Sequence, residues 1–498
     1  MRQELKREGI EIEYKKSEDK LPKSFWETYS SFSNSKGGYI YLGISEEKEA
    51  LKITGVKNID KILKDLTNQA NDRDYTNYNN IKEDNIRILK DGEVEYVEVY
   101  IPEAPTFSKP VHVRGNINNS FIRRNDSDQK MTGEEIRRYL RDANPNNDAE
   151  LIDFFNIEHL DVKTIRKYKE LIQDRNEELN ILEMDNWEFL KKYGAIGMDK
   201  NTGEYKLKKG ALLFFGKEES ILALYPNYHL DYRNRIQETL DTRWIDRVSS
   251  GELNNIELNL FNFYNVVLEK LVNTVLENFQ LNEDTKRRES AKRDVEISLR
   301  EALANALIHA DYEDNVTIKI EAFKNHYVFS NPGEMLVTKE EFARGGETKA
   351  RNTTIVTLFR KAGYSERAGS GGMKIFQVAT QNKFRMPEVQ SNEGKTILKI
   401  WKIDLIDSYV DLSKEEKTII SYIEKNGLVT MKELQSLEGL TEHIAKTRIK
   451  KLIEKRIVSK YGDSRSTRYG IQRDGSELIA SLEHDIRNMQ NYIVDKSK

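Results

Sequence analysis

The chain has 498 residues, of which 38% are hydrophobic and 33% charged; this balance excludes a disordered chain and favours several globular domains. Its 80 Lys and Arg residues nearly cancel its 83 Asp and Glu residues, so a site for nucleic acid has to be a local basic patch. The absence of cysteine excludes disulfides, cysteine zinc sites and thiol nucleophiles. Because the sequence shows neither a signal peptide nor a long apolar run, we expect a cytoplasmic protein that does not span a membrane.

The N-terminal region, residues 1–145, mixes helix and strand patterns. A helical stretch precedes Phe32, and the glycine-bounded apolar run from Gly38 to Ile44 predicts a buried strand. Three further strands are predicted, at residues 86–89, 94–101 and 121–123. Thr132 begins a capping box that predicts a helix. Polar turn formers at 144–148 predict a linker, so we expect an α+β domain that ends there.

Two motifs in this region, EGIEIEYK at 8–15 and FSNSKGGYIYLGI at 32–44, resemble the Schlafen core and its bacterial AlbA-like relatives. The resemblance, which includes a later FIRR element, implies a nucleic-acid-binding domain. In Schlafen nucleases, two glutamates five residues apart and a later acidic residue form a metal-dependent RNA-cleaving site. This implies Glu8, Glu13 and Glu46 as catalytic residues, with Glu8 and Glu13 as ligands of Mg²⁺ or Mn²⁺.

Binding without cleavage is the competing interpretation of the same domain. A chain that is one-third charged places glutamates at any chosen spacing by chance. Lys15, Arg123 and Arg124 would follow a phosphate backbone, while Tyr39 or Tyr41 packs inside. The two arginines are neighbours on a predicted strand, so at most one of them faces a given groove. We rank binding above cleavage.

Residues 150–285 are predicted to form a connecting α/β region. The glycine-bounded apolar run from Gly210 to Gly216 favours a strand, and a helical pattern extends from about Ile256 to Phe279.

The strongest chemical signal lies in a predicted helix at residues 300–312. Glu301, Asn305 and His309 recur every four residues and therefore share one helical face. A carboxylate that takes a proton from water and an amide that ligates a hard cation suit magnesium-nucleotide chemistry. The alternative is an ordinary amphipathic helix whose apolar residues form the core.

The segment that follows resembles the divergent GHKL ATPases found in predicted bacterial transcriptional regulators. The resemblance rests on the helix, on Asn331-Pro332-Gly333, on Arg351-Asn352 and on the turn Gly369-Ser370-Gly371-Gly372. It implies a GHKL-like α/β sandwich at residues 286–405 that binds ATP. Asn305 would hold Mg²⁺, Glu301 would activate the attacking water, and the glycine turn would cradle phosphates with its backbone N–H groups. The resemblance implies further nucleotide-binding residues: His309, Asn331, Gly333 and Thr396.

Asn331 departs from the pattern of the superfamily, which presents an aspartate to the adenine amino group at this position. An asparagine carbonyl still accepts that hydrogen bond, but without a charge. A site that binds ATP as a structural or switching ligand is therefore the competing hypothesis to an ATPase.

Residues 412–475 predict a winged helix-turn-helix, because three short helical patterns precede a run of β-formers. A basic third helix in the major groove, with a basic wing on the backbone, is the geometry of this motif. It predicts nucleic-acid contacts for six residues: Lys446, Arg448, Lys450, Lys451, Arg465 and Arg468. A winged helix used for protein contact is the alternative. Residues 476–498 are predicted to be a helical tail.

The sequence thus predicts a multidomain α+β protein that binds ATP, Mg²⁺ and DNA or RNA, and that acts as an ATP-responsive regulator of transcription. Two alternatives stay open. One is a Schlafen-like nuclease effector under ATP control, as in phage defence, and the other is a non-catalytic assembly protein with a vestigial ATP site. Assembly into a homo-oligomer is left open.

Overall fold

The structure is a computed structural model that describes residues 8–47, 50–144, 146–175, 180–237, 243–252, 256–279, 285–346, 349–365, 369–409, 411–463, 466–480, 482 and 486. The chain is mixed α+β with several sheets, and it divides into two compact units, Met1–Pro145 and Asn146–Lys498. Within these described ranges, no helix has the length and apolar character needed to cross a membrane.

The N-terminal unit contains eight strands and three α-helices in its described part. The strands are β1 Ile12–Lys15, β2 Gly38–Leu42, β3 Ile44–Glu47, β4 Ala50–Ile53, β5 Ile86–Asp91, β6 Val94–Ile101, β7 Phe121–Arg124 and β8 Ser127–Lys130. The helices are α1 Phe25–Asn34, α2 Ile59–Ala70 and α3 Gly133–Ala143. Four strands form a sheet of order β1-β2-β6-β5, in which β1 and β2 are parallel; the other strands pair as hairpins, β3 with β4 and β7 with β8.

Alternation along β2 decides which side of this sheet is covered. Ile40 and Leu42 are buried against the aromatic residues of α1, while Tyr39 points to the other face and is 38% exposed. The sequence left open whether Tyr39 or Tyr41 packs inside; Tyr41 is the partly buried one, stacked on Tyr14 with 5.3 Å between ring centroids.

The predicted strand from Gly38 to Ile44 is two strands in the structure. Gly43 interrupts it with a φ of +93°, and a Cβ there would lie 2.9 Å from the backbone of Gly55. The predicted capping box is confirmed, because the Thr132 hydroxyl accepts a hydrogen bond from the Glu135 N–H and the Glu135 carboxylate accepts one from the Thr132 N–H.

The second unit contains ten strands and twelve helices among its described residues. The strands are β9 Ile196–Met198, β10 Tyr205–Leu207, β11 Leu230–Arg235, β12 Asp246–Ser249, β13 Ile318–Phe323, β14 His326–Pro332, β15 Glu388–Asn392, β16 Lys395–Trp401, β17 Val458–Tyr461 and β18 Arg468–Ile471. The helices are α4 Val162–Gln173, α5 Asn186–Lys192, α6 Lys209–Phe215, α7 Glu218–Leu224, α8 Leu260–Phe279, α9 Thr285–Ile308, α10 Lys339–Arg344, α11 Thr353–Lys361, α12 Ser370–Gln381, α13 Lys414–Asn426, α14 Met431–Gln435 and α15 Glu442–Glu454.

A six-stranded sheet of order β12-β11-β13-β14-β16-β15 organises most of this unit. β11 and β13 are parallel, and the other neighbours are antiparallel. The apolar residues of α8 and α9 pack into the same core as the sheet. This arrangement places α9 and the first turn of α12 beside the ends of β14 and β16.

The predicted strand from Gly210 to Gly216 is wrong, because this segment forms helix α6. All of its residues from Gly210 to Phe215 are buried. An apolar run that is buried on every side shows no helical period in the sequence, and periodicity alone cannot separate it from a buried strand. The predicted helix that follows is confirmed as α8, although it begins at Leu260 rather than Ile256.

The C-terminal part, from α13 to β18, consists of three helices followed by an antiparallel hairpin, in the order that the sequence predicts. Ile419, Ile423, Ile449 and Leu452 form its small apolar core. Of the predicted tail, residues 476–480 are helical, as is the preceding residue.

Candidate functional site

A cavity of about 170 Å³ lies between α9, the start of α12 and the strands β14 and β16. Most of the residues predicted to hold the nucleotide line its wall: Glu301, Asn305, His309, Asn331, Thr396, and Gly369 to Gly372. Four separate segments of the chain therefore meet around one space, as the sequence motifs imply. Gly333 is not among the lining residues.

The strands place two of these residues side by side. Asn331 on β14 is the register partner of Thr396 on β16. The Thr396 hydroxyl donates a hydrogen bond to the carbonyl oxygen of Gly333, at 2.8 Å, and the Asn331 amide nitrogen donates one to the carbonyl oxygen of Pro332, at 3.0 Å. These bonds fix both side chains at one end of the cavity.

The glycine turn packs so closely that side chains would not fit. Gly369, with a φ of +78°, precedes the first turn of α12, and a Cβ on it would overlap the backbone of Gly346. A Cβ on Gly371 would lie 2.7 Å from Glu301 Oε2 and 3.0 Å from Asn305 Nδ2. The missing side chain of Gly371 thus makes room for the two polar groups of α9. The N–H groups of the first turn of a helix lack intrahelical partners and attract anions.

The charged residues that line the cavity are Glu301, Glu334, Glu341, Lys349 and Arg351. Glu301 is 3% exposed, and its Oε1 lies 3.9 Å from the ammonium group of Lys374 on α12. Burial of the His309 ring, and secondarily the charge of Arg351, lower the pKa of His309 to about 4. His309 is therefore neutral at pH 7, and it offers the cavity a hydrogen-bonding ring rather than a positive charge.

Arg351 is a functional candidate to which the sequence analysis assigned no role. It is 4% exposed, and its guanidinium donates hydrogen bonds to the carbonyl oxygens of His309 and Glu334, the latter at 2.9 Å. Gly333, with a φ of +90°, packs against this guanidinium, and a Cβ there would lie 2.6 Å from Nη1. The spacing of an NPG motif and an Arg-Asn pair was the available signal.

Asn352, the residue after Arg351, also supports the C-terminal end of α9. The Asn352 amide donates to the carbonyl oxygens of Ile308 and Ala310, at 2.8 and 2.7 Å. Asp148 in turn accepts backbone N–H bonds from Thr354 and Ile355 at the start of α11. These contacts hold the end of α9 in place, and with it the face that carries Glu301 and Asn305.

In the N-terminal unit, the predicted carboxylates lie near one another. Glu8 accepts a hydrogen bond from the Tyr14 N–H at 2.9 Å. Burial, and then the charges of Glu13 and Glu46, raise the pKa of Glu8, although its bond from Tyr14 opposes the shift. Glu46 is exposed on β3.

Glu13 is already neutralised by basic side chains. One oxygen lies 2.6 Å from Lys15 Nζ and the other 2.8 Å from Arg123 Nη2. In the part of the chain that the structure describes, no three His, Asp or Glu side chains are grouped so as to hold a metal ion. The expected convergence of Glu8, Glu13 and Glu46 on one metal is therefore not present in this structure, because Glu13 turns to its cations and Glu8 to the backbone.

Arg123 is a correction to the predicted nucleic-acid surface. Its side chain is 1% exposed, and it binds Glu13, Asp128 and the carbonyl oxygens of Gly9 and Ile12. Lys15 is likewise 13% exposed and paired. Only Arg124 of the three predicted residues is well exposed, at 41%, and it pairs with Glu135.

The basic residues of α15 divide between two faces. Arg448 and Lys451 point to α13, where both lie within 4 Å of the buried carboxylate of Glu416. Both side chains remain partly exposed, Arg448 at 32% and Lys451 at 47%, so their contact with nucleic acid stays a prediction. Lys446, Lys450 and Arg468 are exposed, whereas Arg465 lies outside the described residues.

Comparison with family models gave three matches. Residues 8–132 match the model described as Schlafen, AlbA_2, and residues 315–400 match the one described as putative ATP-dependent DNA helicase recG C-terminal. Residues 137–231 match a domain of unknown function, DUF8451. The second match begins after α9, so Glu301 and Asn305 lie outside it.

Among solved structures, the crystal structure of the DIP2311 protein from Corynebacterium diphtheriae is similar over 93% of this chain and 95% of that chain, with 13% identity and a TM-score of 0.38. A search of curated proteins gave no match.

Proposed function

We propose that this chain, an AlbA-like protein with a divergent ATPase-like domain, binds ATP with Mg²⁺ beside α9 and uses the bound nucleotide to control its contact with nucleic acid. The observation that carries the proposal is the cavity itself, in which α9, the glycine turn and two sheet strands bring the predicted side chains together. A regulator of transcription is the role that we propose for such a protein. We also propose a GHKL-like sandwich and a winged helix-turn-helix as the folds of its central and C-terminal parts.

The donor groups at the cavity suit a magnesium nucleotide. An amide oxygen such as that of Asn305 is a hard ligand of the kind Mg²⁺ accepts. The space that a Cβ of Gly371 would fill lies directly against Asn305 and Glu301, so the cradle exists only because residue 371 is glycine. When bound, the ion would neutralise charge on the phosphate oxygens.

The residues around the cavity would then have distinct roles in binding. The N–H groups of the first turn of α12 face the end where anionic oxygens would lie. Asn331 and Thr396, which are register partners, would hold the base at the other end. Glu301 would accept a proton from an attacking water if the site hydrolyses its ligand, and the ammonium group of Lys374 lies 3.9 Å from its carboxylate.

The size of the cavity adds a requirement. Its volume of about 170 Å³ is below the roughly 300–1,000 Å³ of typical ligand pockets. Entry of a nucleotide therefore has to widen the site, and α10 with Phe342 and the glycine turn are the elements that border it. A movement of this kind is what would make nucleotide binding visible elsewhere in the chain.

Cleavage of nucleic acid by the N-terminal unit is the second candidate function. Cleavage is supported by the proximity of the three carboxylates, since the charges of Glu13 and Glu46 help to raise the pKa of Glu8. The ion pairs of Glu13 oppose it, because a metal would have to displace both Lys15 and Arg123. We therefore propose binding, rather than cleavage, as the role of this unit.

Calorimetric titration of the intact chain with a non-hydrolysable ATP analogue, with and without Mg²⁺, tests the proposal. Asn305→Ala should remove the magnesium-dependent part of the affinity, and Glu301→Gln should keep binding and abolish any hydrolysis. Asn68→Ala on the exposed side of α2 is the matched control and should bind as the wild type does. Absence of binding at millimolar nucleotide would refute the proposal.

The control of nucleic-acid contact needs a second measurement. The affinity for DNA and RNA should differ between the nucleotide-bound and nucleotide-free protein, and Asn305→Ala should remove the difference. An affinity that nucleotide leaves unchanged would contradict the regulatory part alone.

A further inference from the structure

The C-terminal part contains a groove of about 1000 Å³ between α14, α15 and the hairpin of β17 and β18. Its floor is apolar and is formed by Met431, Ile449, Ile453 and Tyr469. These side chains belong to the edge of the small C-terminal core. The groove therefore combines a floor that packs against flat or apolar groups with walls contributed by three separate elements.

Four lysines stand around this floor: Lys432 on α14, Lys446 and Lys450 on α15, and Lys460 on β17. All four are exposed. Glu454 is the acidic residue at the wall. The walls thus carry a net positive charge in a chain whose formal net charge is −3.

The way these lysines are paired distinguishes the groove from the opposite face of α15. Among the described residues, Lys432, Lys450 and Lys460 have no ion pair, and Lys446 pairs with Glu442 on its own helix. On the other face, Arg448 and Lys451 share the buried Glu416. The chain pairs its basic residues where α15 meets α13 and, in its described part, leaves three of the four groove lysines without an ion pair, so an anionic ligand could bind them by displacing only their counter-ions.

We propose that this groove binds a single strand of nucleic acid, with phosphates on the lysines and unstacked bases on the apolar floor. The inference rests on the proposed function, since it specifies the nucleic-acid partner of the same protein. Grooves that track a charged backbone and offer an aromatic surface to bases are the general solution for single strands.

A duplex suits the groove less well. The faces of its bases are stacked inside, so it offers phosphates and base edges to the groove but no base face to cover the floor. Tyr469 and Met431 would then remain in water. A single strand covers both kinds of surface, and unpaired bases stack on an aromatic ring with little regard to sequence.

The test uses the full chain and fluorescence anisotropy with a labelled twelve-nucleotide DNA strand, the RNA strand of the same sequence and the corresponding DNA duplex. Lys450→Gln and Lys460→Gln remove one cation from each side of the groove. Lys425→Gln, an exposed residue at the end of α13 outside the groove, is the matched control. Nucleotide binding by each variant is measured in parallel.

We expect tighter binding of the single strands than of the duplex. Each groove variant should lower the slope of log affinity against log salt by about 0.7, the value for one phosphate contact with a single strand, and the double variant by about 1.4. Lys425→Gln should leave the slope unchanged, and all variants should bind nucleotide normally.

Other outcomes overturn the inference in distinguishable ways. Tighter duplex binding, or slopes that the groove variants leave unchanged, would refute the groove while leaving the proposed function intact. Competition by oligoglutamate as effective as that of the oligonucleotide would identify an acidic protein segment as the ligand instead. A wild-type chain that binds nucleotide but no nucleic acid would refute the nucleic-acid part of the proposed function as well.

Discussion

Gly371→Ala provides a direct test of the cavity, because it adds one methyl group at the point where α12 meets α9. The new Cβ would lie 2.7 Å from Glu301 Oε2 and 3.0 Å from Asn305 Nδ2, whereas non-bonded atoms of this kind are comfortable at roughly 3.5 Å or more. One or both polar groups must therefore move by about 0.5–1 Å. Displacement of a reacting group by about 1 Å costs on the order of a hundredfold in rate.

The same substitution should not weaken the fold. Gly371 lies in the first turn of α12 and does not have a positive φ, so the backbone accepts alanine there without strain. The atoms that the new methyl group meets are the ends of the Glu301 and Asn305 side chains, which can shift without moving the backbone. We expect a thermal midpoint equal to or a little above that of the wild type, together with a loss of magnesium-dependent nucleotide affinity and of about a hundredfold in any hydrolysis.

The assay pairs calorimetric titration and a phosphate-release measurement with thermal unfolding of the same preparation. Gly133→Ala in the first turn of α3 is the control, because its Cβ would meet nothing closer than Arg137 Nη1 at 3.6 Å. If Gly371→Ala binds and processes nucleotide as the wild type does, Glu301 and Asn305 do not act from the positions seen here. If affinity is lost only together with the folded structure, the contact is purely structural.

Two further predictions concern buried ionisable side chains. Arg123→Ala should destabilise the N-terminal unit by about 3 kcal/mol, because removing one partner of a buried ion pair leaves the other uncompensated. Arg124→Ala on the surface should cost at most about 1 kcal/mol. Hydrogen exchange of peptides from β2 and β7 in the intact chain measures both losses of stability, and equal losses would contradict the burial argument. The second prediction concerns His309, whose pKa of about 4 lies below the usual value of 6.5. Between these two pH values, His309 binds fewer protons in the folded state than in the unfolded state. It should therefore contribute about 3 kcal/mol of stability at neutral pH, which is lost as the pH falls from about 6.5 to 4. His309→Gln should flatten that part of the stability–pH curve, and an unchanged curve would refute the assigned shift.

Local signals in the sequence were sufficient for most of the elements. The glycine-bounded apolar run of β2, the capping box at Thr132 and the helical period of α13 and α15 each depend on residues a few positions apart. α6 could not be predicted in this way. The residues that bury α6 on all sides are distant in sequence; among them, Asp148 and Thr354 lie close to Gly210. Because no side of α6 faces solvent, its sequence has no polar face from which a helix could be predicted.

The site was predictable where one helix carried its residues and not where distant segments meet. Glu301 and Asn305 share a helical face whatever the rest of the fold does. Arg123, by contrast, is predicted from the FIRR element to be a surface cation. In the structure it is a buried ion, because the segment from Gly9 to Glu13, more than a hundred residues earlier in the chain, packs against it. The same limit applies to Arg448 and Lys451, whose acidic partner Glu416 lies on a different helix.

Arg351 shows why a motif can be recognised before its parts are understood. The glycine of NPG is required because the Arg351 guanidinium occupies the space of its side chain, and the guanidinium is required because it joins the carbonyl oxygens of His309 and Glu334. Together with Asn352, it ties the end of α9 to the loop after β14 and to the start of α11. A helix held at its C-terminal end by three such bonds cannot slide along its axis without breaking them. Asn305 and Glu301, one and two turns earlier, are therefore held at a fixed depth in the cavity, and a nucleotide that widens the site has to displace the glycine turn and α10 rather than α9.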